Sequence, residues 1–190
     1  MDVTLYIILA LLAAVLVYAV ILFNNLVSLK HAVAKAWSNI DVLLKQRHDE
    51  LPKLVETCKQ YMQYEQDTLE RVIAARGAVA AAREKADVAA LGPAETLLRG
   101  GLGQLFALAE SYPELKANES FQHLEARITG LENTIADRRE LYNESVNNNN
   151  VRIEQFPDVI LARLFNFKPF ELLQFSEEEK QDVDVKALFA

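Results

Sequence analysis

A chain of 190 residues is long enough for a single domain with a proper core, once a membrane anchor is set aside. The net charge of -7 at pH 7 argues against a nucleic-acid partner, which would need a basic surface, and it gives no electrostatic attraction to anionic lipid. The single cysteine, Cys58, excludes an internal disulfide.

The N-terminal segment predicts a transmembrane anchor over residues 1–23. Residues 3–23, VTLYIILALLAAVLVYAVILF, carry no charge, and at about 1.5 Å per residue they can cross a hydrocarbon layer of about 30 Å. A cleaved signal peptide is the alternative, but it would need a basic segment before the apolar run and a small-residue cleavage site after it. Ala10 and Ala14 form a small-x-x-x-small pair that lets helices approach closely in lipid, which favours a homo-oligomer.

The charges beside the anchor predict its orientation. Only Asp2 precedes the apolar run, whereas four basic residues follow it: Lys30, Lys35, Lys45 and Arg47. Because basic flanks stay on the inner side of a membrane, we expect a single-pass protein whose soluble domain is cytoplasmic.

Beyond the anchor, apolar residues recur every three or four positions from Leu26 to Leu44, so the first helix should continue out of the membrane. The stretch HDELP predicts its end, with Asp49 as N-cap and Pro52 in the first turn of a second helix over about 51–83. An upright second helix of that length would carry basic side chains towards lipid. We therefore expect either a lean of the bundle or a break near Gly77.

Two further helices are predicted, over about 94–111 and about 119–155, and no alternating strand pattern occurs. The predicted fold is all-α: the N-terminal transmembrane helix continues into an antiparallel up-down-up-down four-helix bundle over 24–155 with coiled-coil-like packing. A Phe-rich short helical segment over 156–175 and an acidic tail over 176–190 complete the chain.

No pattern predicts a catalytic, cofactor or metal site. None of the three histidines has a Glu three residues before it, as a carboxylate-bridged metal bundle would need. Cys58 lies in an apolar stripe, where an inert core thiol is the expected state. The stretch RGGLGQL lacks the glycine order of a phosphate loop, so close helix packing is the better interpretation.

Charges that interrupt apolar stripes predict a buried polar layer. Glu65 lies in the helical phase of Met62 and Leu69, and Arg138 lies in that of Ile135 and Tyr142. We expect Glu65 to pair with Arg138 or its neighbour Arg139. The indole N–H of Trp37 should be hydrogen-bonded nearby, so that the layer fixes helix register rather than catalysing a reaction.

The Phe-rich segment must bury its aromatic rings somewhere. An up-and-down count of helices places Phe165, Phe167 and Phe170 close to the membrane. Three partners are open at this point, namely the chain's own bundle, the lipid interface and a neighbouring subunit.

Several long stretches carry a family resemblance: FNNLVSLKHAVAKAWSNIDVLLKQRHDELPKLVETCKQY, AARGAV, YPELKAN and RRELYNESV followed by FPDVILARLFNFKPF. Together they resemble the LemA family of bacterial membrane proteins over nearly the whole chain. The resemblance implies a single-pass protein of the bacterial inner membrane with an antiparallel helical bundle, and it implies no particular reaction. The family pattern has Tyr for Phe23, an aliphatic residue for Cys58 and His for Tyr64, which weakens any catalytic role for Cys58.

The sequence has no pattern of a catalytic site and predicts abundant helical surface. These two features favour a non-enzymatic, self-associating membrane scaffold or membrane-organising element, in contact with the lipid bilayer and with copies of itself. The alternative is an adaptor that binds a membrane protease or signalling partner through one bundle face. A hydrolase is a third and much weaker hypothesis.

Overall fold

A computed structural model describes residues 3–174, and all regular structure within that range is helical. The helices are α1 (Val3–Lys59), α2 (Gln66–Glu84), α3 (Val88–Ala109), α4 (Pro113–Lys116), α5 (Glu119–Glu154) and α6 (Asp158–Leu164). The predicted all-α class is therefore confirmed. Phe175 and the acidic tail over 176–190 lie outside the described residues, so their predictions have no structural counterpart.

The first helix does not end at HDELP, which corrects the expected break at Asp49. α1 is a single helix of 57 residues with Pro52 inside it, and the turn to α2 falls at residues 60–65. A proline in a helix interior leaves the carbonyl four residues earlier without its N–H donor. Here the Nε of Arg76 donates to the carbonyl of His48 at 3.0 Å, so a side chain from α2 replaces the missing backbone donor.

The second and third helices also differ from their expected bounds. α2 passes through Gly77 without a break, and it ends opposite Asp41, whose carboxylate binds Arg83 Nε at 2.6 Å. Because α2 starts fifteen residues later than expected, the length mismatch that suggested a break does not arise. α3 begins at Val88 rather than at about 94, because the carboxylate of Asp87 caps it by accepting from Ala90 N at 2.9 Å.

By contacts the chain forms two compact units, and α1 and α5 each contribute a segment to both. Among the described residues, one unit comprises those up to Ser38 with Glu140–Glu171, and the other comprises Asn39–Arg139 with residues 172–174. They are called the anchor unit and the core unit below.

The core unit packs α2 and α3 together with segments of α1 and α5. α1 and α5 run antiparallel, since Arg47 contacts Glu132 while Glu50 contacts Arg127. Two glycines allow close backbone approach: a Cβ on Gly92 would lie 2.8 Å from the carbonyl oxygen of Gln174, and one on Gly101 would lie 3.3 Å from Val72. Within the stretch RGGLGQL, the predicted close helix packing is therefore found at Gly101, against α2.

The anchor unit combines the start of α1, the end of α5, and α6. Its buried apolar cluster consists of Leu26, Ile153 and Ala162, with Leu161 and Phe167 packed against it. After α6 the chain turns at Asn166, which adopts a left-handed backbone (φ 55°) of the kind that ends helices.

Candidate functional site

The most unusual chemistry in the core unit is a group of buried charges contributed by three helices. Arg47 of α1 is fully buried, and its Nη1 donates to Glu95 of α3 at 2.9 Å and to Glu132 of α5 at 2.6 Å. Its Nη2 also donates to Glu95. Arg99 approaches the second oxygen of Glu132 at 3.4 Å. These four residues are called the buried charge cluster.

The electrostatics of the cluster favour the ionised guanidinium. Burial alone would lower the pKa of Arg47, but the adjacent carboxylates of Glu95 and Glu132 outweigh that effect and raise it. Both oxygens of Glu95, which is 1% exposed, are engaged by the guanidinium in a bidentate pair. A carboxylate buried in this way and paired at both oxygens with a guanidinium is held ionised and shielded from solvent, so the geometry suits a structural link better than acid–base chemistry.

Sequence reasoning missed this cluster although its signal was present. Arg47 falls between Leu44 and Leu51 in the buried stripe of α1, and Glu95 falls between Leu91 and Leu98 in that of α3. A charge in an apolar stripe therefore does indicate a buried polar layer in this protein, but at Arg47 and Glu95 rather than at Glu65 and Arg138.

The structure does not bring together the residues named for the expected layer. Glu65 lies in the turn after α1, where the Tyr112 hydroxyl donates to it at 3.4 Å. Arg138 is exposed and Arg139 is buried on α5. The same turn lies beside the start of α5, because Asn118 donates to the Tyr61 hydroxyl at 3.1 Å. Arg139 is about 30 Å further along that helix, too far for a pair with Glu65.

Trp37 lies in the anchor unit and packs against an aromatic ring of α5. Its ring centroid is 5.8 Å from that of Tyr142, in a tilted arrangement. The Tyr142 hydroxyl donates to the carbonyl of Glu171 at 3.0 Å, which fastens the chain after α6 to α5. Burial next to Glu171 raises the pKa of Tyr142.

Arg76 makes a second polar contact of structural importance in the core unit. Besides the His48 carbonyl, its guanidinium donates to Nε2 of the His48 ring at 2.7 Å. The ring must therefore be neutral with its proton on Nδ1. Burial, and then the positive charge of Arg76, lower the pKa of His48.

Cys58 is the expected inert core thiol. It is fully buried and unpaired, and burial followed by the negative charge of Glu125 raises its pKa to about 12. A thiol needs its thiolate form to act as a nucleophile, and that form is suppressed here at neutral pH.

Surface grooves offer little further chemistry in the described part of the chain. One groove is lined by Glu50, Lys53, His123 and Arg127, but Lys53 and Arg127 each bind Glu50 at 3.0 Å. Among residues 3–174, no three histidine, cysteine or acidic side chains lie close enough together to hold a metal ion.

The Phe-rich segment is fastened to α5 of the anchor unit by a two-point amide contact. Asn150 donates from Nδ2 to the carbonyl of Phe170 at 2.8 Å, and its Oδ1 accepts from the Phe170 N–H at 2.9 Å. Phe167 then packs on the buried cluster, whereas Phe165 stays 54% exposed. The rings of Phe165 and Phe167 lie 4.8 and 6.0 Å from that of Phe23.

The N-terminal part of α1 has the features of a membrane span. Within the described residues it alone belongs to a helix long and apolar enough to cross a membrane, and its apolar side chains are almost all exposed. Ala10 and Ala14 are exposed in the same stretch, with no other element packed over them.

Comparisons with known proteins identify the family of the chain. A LemA family model matches residues 36–187. Protein LemA of Metamycoplasma hominis is 26% identical over 170 residues, which are 87% of this chain and 74% of that protein. Magnetosome protein MamQ 2 of Paramagnetospirillum magneticum is 34% identical over 73 residues, which are 38% of this chain and 27% of MamQ 2.

Magnetosome protein MamQ of Magnetospirillum gryphiswaldense is 32% identical over 84 residues, or 44% of this chain and 30% of that protein. The chain therefore spans less than a third of the length of either MamQ protein. The family match, by contrast, extends over most of the chain, from residue 36 to residue 187. On this match the chain belongs to the LemA family.

Proposed function

We propose that this protein is a non-enzymatic, single-pass membrane scaffold that associates with copies of itself. The observation that carries the proposal is α1, in which an exposed apolar segment and a tightly packed segment form one unbroken helix of 57 residues. Such a helix links a segment able to cross a membrane directly to the packed domain, as a membrane-anchored scaffold requires. The bundle arrangement over 24–155 is part of the same proposal.

The buried charge cluster supports a structural role for the domain. Its carboxylates form ion pairs with arginines, and the one thiol has a pKa of about 12. Charged groups buried in this way specify which helix faces meet, at some cost in stability.

Exposed apolar side chains on the core unit support self-association. Val42, Ile73 and Leu97 lie on three different helices and are 52%, 43% and 66% exposed. Lateral contact with another copy would remove them from water. In lipid, Ala10 and Ala14 would allow two α1 helices to approach closely.

The test is co-isolation of differently tagged copies of the full chain from one membrane in mild detergent. A scaffold should retain the second tag, and a Leu97→Asp variant should retain less of it, since a charge would be buried at the contact. The matched control is Lys85→Asp, which places the same charge at an exposed turn position. Isolation of single copies with a different protein in fixed ratio would favour the adaptor and overturn the scaffold.

We also infer that the domain is cytoplasmic, because Lys30 and Lys35 follow the apolar segment closely. A C-terminal green fluorescent protein fusion should fluoresce in intact cells, and a C-terminal alkaline phosphatase fusion should be inactive. The reverse pattern would place the domain on the outer side.

A further inference from the structure

We propose that one side of the α6 region lies in the headgroup–acyl boundary of the membrane that α1 crosses, and so forms a second lipid contact within the anchor unit. This side consists of Phe156, Ile160, Leu164 and Phe165, and is called the α6 face. The inference rests on the membrane span of the proposed function but not on self-association.

The depth of the α6 face follows from its contact with α1. Residues 3–23 span about 31 Å as a helix, close to the thickness of the hydrocarbon layer, so Phe23 marks its boundary. The ring of Phe165 lies 4.8 Å from that of Phe23. The α6 face is therefore next to the level at which hydrocarbon gives way to headgroups.

The distribution of side chains around α6 is that of an interfacial segment. Ile160 and Leu164 are four residues apart on α6 and are 57% and 72% exposed, and Phe156, in the turn before α6, is 81% exposed. The other side of the helix, with Asp158 and Ala162, is buried. A short segment with one apolar side turned outward at membrane depth suits burial a few ångströms into the acyl boundary.

The charges of the region are placed compatibly with lipid contact. Asp158 is the acidic residue on α6, and Arg152 of α5 binds it at 2.8 Å on the buried side. Arg163 and Lys168 are exposed, and their long side chains can extend to the phosphate layer while their stems remain in apolar surroundings. No unpaired carboxylate has to enter the boundary with α6.

The size of the α6 face favours lipid over a second copy of the chain. Four side chains of these types at the observed exposure present on the order of 600 Å². A stable dimer interface usually buries about 800 Å² per partner. The chain's own core is excluded as the cover, because Phe167 and Leu161 already fill the place beside Leu26.

The test is collision accessibility of nitroxide labels on the full chain in vesicles of phosphatidylethanolamine and phosphatidylglycerol. Single labels are placed on Ile160→Cys and Leu164→Cys, with Ile21→Cys as the lipid control and Glu144→Cys on α5 as the aqueous control. All four side chains are exposed. The buried thiol of Cys58 should stay unlabelled, and labelling of the unsubstituted chain checks this. Helix content measured by circular dichroism checks that each variant folds.

At Ile160 and Leu164 the ratio of oxygen to nickel-chelate accessibility should be several-fold higher than at Glu144 and should approach that at Ile21. A ratio equal to that of Glu144 would place the face in water and overturn the proposal. Low accessibility to both colliders, together with spin–spin broadening, would show that a second copy of the chain covers the α6 face. That result would also overturn the proposal. A water-like ratio at Ile21 would overturn the membrane span itself, so the two failures can be told apart.

Discussion

Replacing Arg47 by Met should destabilise the protein more than any surface ion-pair change. The substitution removes the guanidinium that lies between Glu95 and Glu132 and that binds both oxygens of Glu95, which is 1% exposed. A buried carboxylate stranded in this way has lost its counterion but remains out of water. Removing one member of such a pair costs roughly 3–5 kcal/mol of unfolding free energy.

A compensating variant separates the loss of the pair from the loss of packing. In Arg47→Met with Glu95→Leu, no charge is stranded, because Glu132 keeps Arg99 at 3.4 Å. Apolar residues of similar volume often replace a buried pair without loss of stability, so the double variant should recover to within about 1 kcal/mol of the parent. Arg127→Met is the matched control, since it breaks the Arg127–Glu50 pair at the surface and should cost about 0–1 kcal/mol.

The assay is urea unfolding of the full chain in a mild detergent, followed by circular dichroism. With a slope of about 2 kcal/mol per molar urea, a loss of roughly 3–5 kcal/mol lowers the midpoint by about 1.5–2.5 M. Equal midpoints for Arg47→Met and Arg127→Met would refute the reasoning. So would a double variant no more stable than the single one, because the stranded charge would then not be the cause.

Three further outcomes follow from the site geometry. The neutral ring of His48 accepts a hydrogen bond from Arg76, and its pKa is lowered. The contribution of His48 to stability should therefore be complete above its ordinary pKa of 6.5 and decline as the pH falls through the lowered pKa. Between pH 7.5 and 5 the melting temperature should fall less in His48→Gln than in the parent protein, and equal slopes would contradict this. With a pKa of about 12, Cys58 should not react with a disulfide reagent at pH 8 until urea unfolds the chain, and fast native labelling would contradict its burial. Phe167→Ser should lower the melting temperature clearly more than Phe165→Ser, because Phe167 packs on the buried cluster and Phe165 is half exposed; equal losses would show that both rings belong to the core.

Helices whose ends are marked locally could be predicted closely from the sequence. α5 was expected over about 119–155 and is found at Glu119–Glu154, because Asn118 caps it by accepting from Phe121 N at 3.1 Å. Most positions of the predicted apolar stripes of α1 and α5 are buried, for instance Leu44 and Ile135. In these places local sequence and tertiary packing favour the same structure.

The missed features depend on contacts between residues distant in sequence. Pro52 predicted a helix end, but Arg76, 24 positions later, supplies a donor to the carbonyl that the proline leaves free. The expected turn therefore lies about ten residues before the observed one. The partners predicted for Glu65 depended on that turn and are displaced with it. Arg47 was treated as an orientation signal beside the anchor, although its place between Leu44 and Leu51 marked it as a buried charge.

Native mass spectrometry of the full chain, extracted gently from its own membrane, tests the scaffold most directly. One chain has a mass of 21.4 kDa, so a self-associating scaffold should appear as whole-number multiples of that mass. Ala10→Leu with Ala14→Leu should shift the distribution towards smaller multiples if the anchors pack through these positions. A single 21.4 kDa species, or a constant complex with a different protein, would contradict self-association.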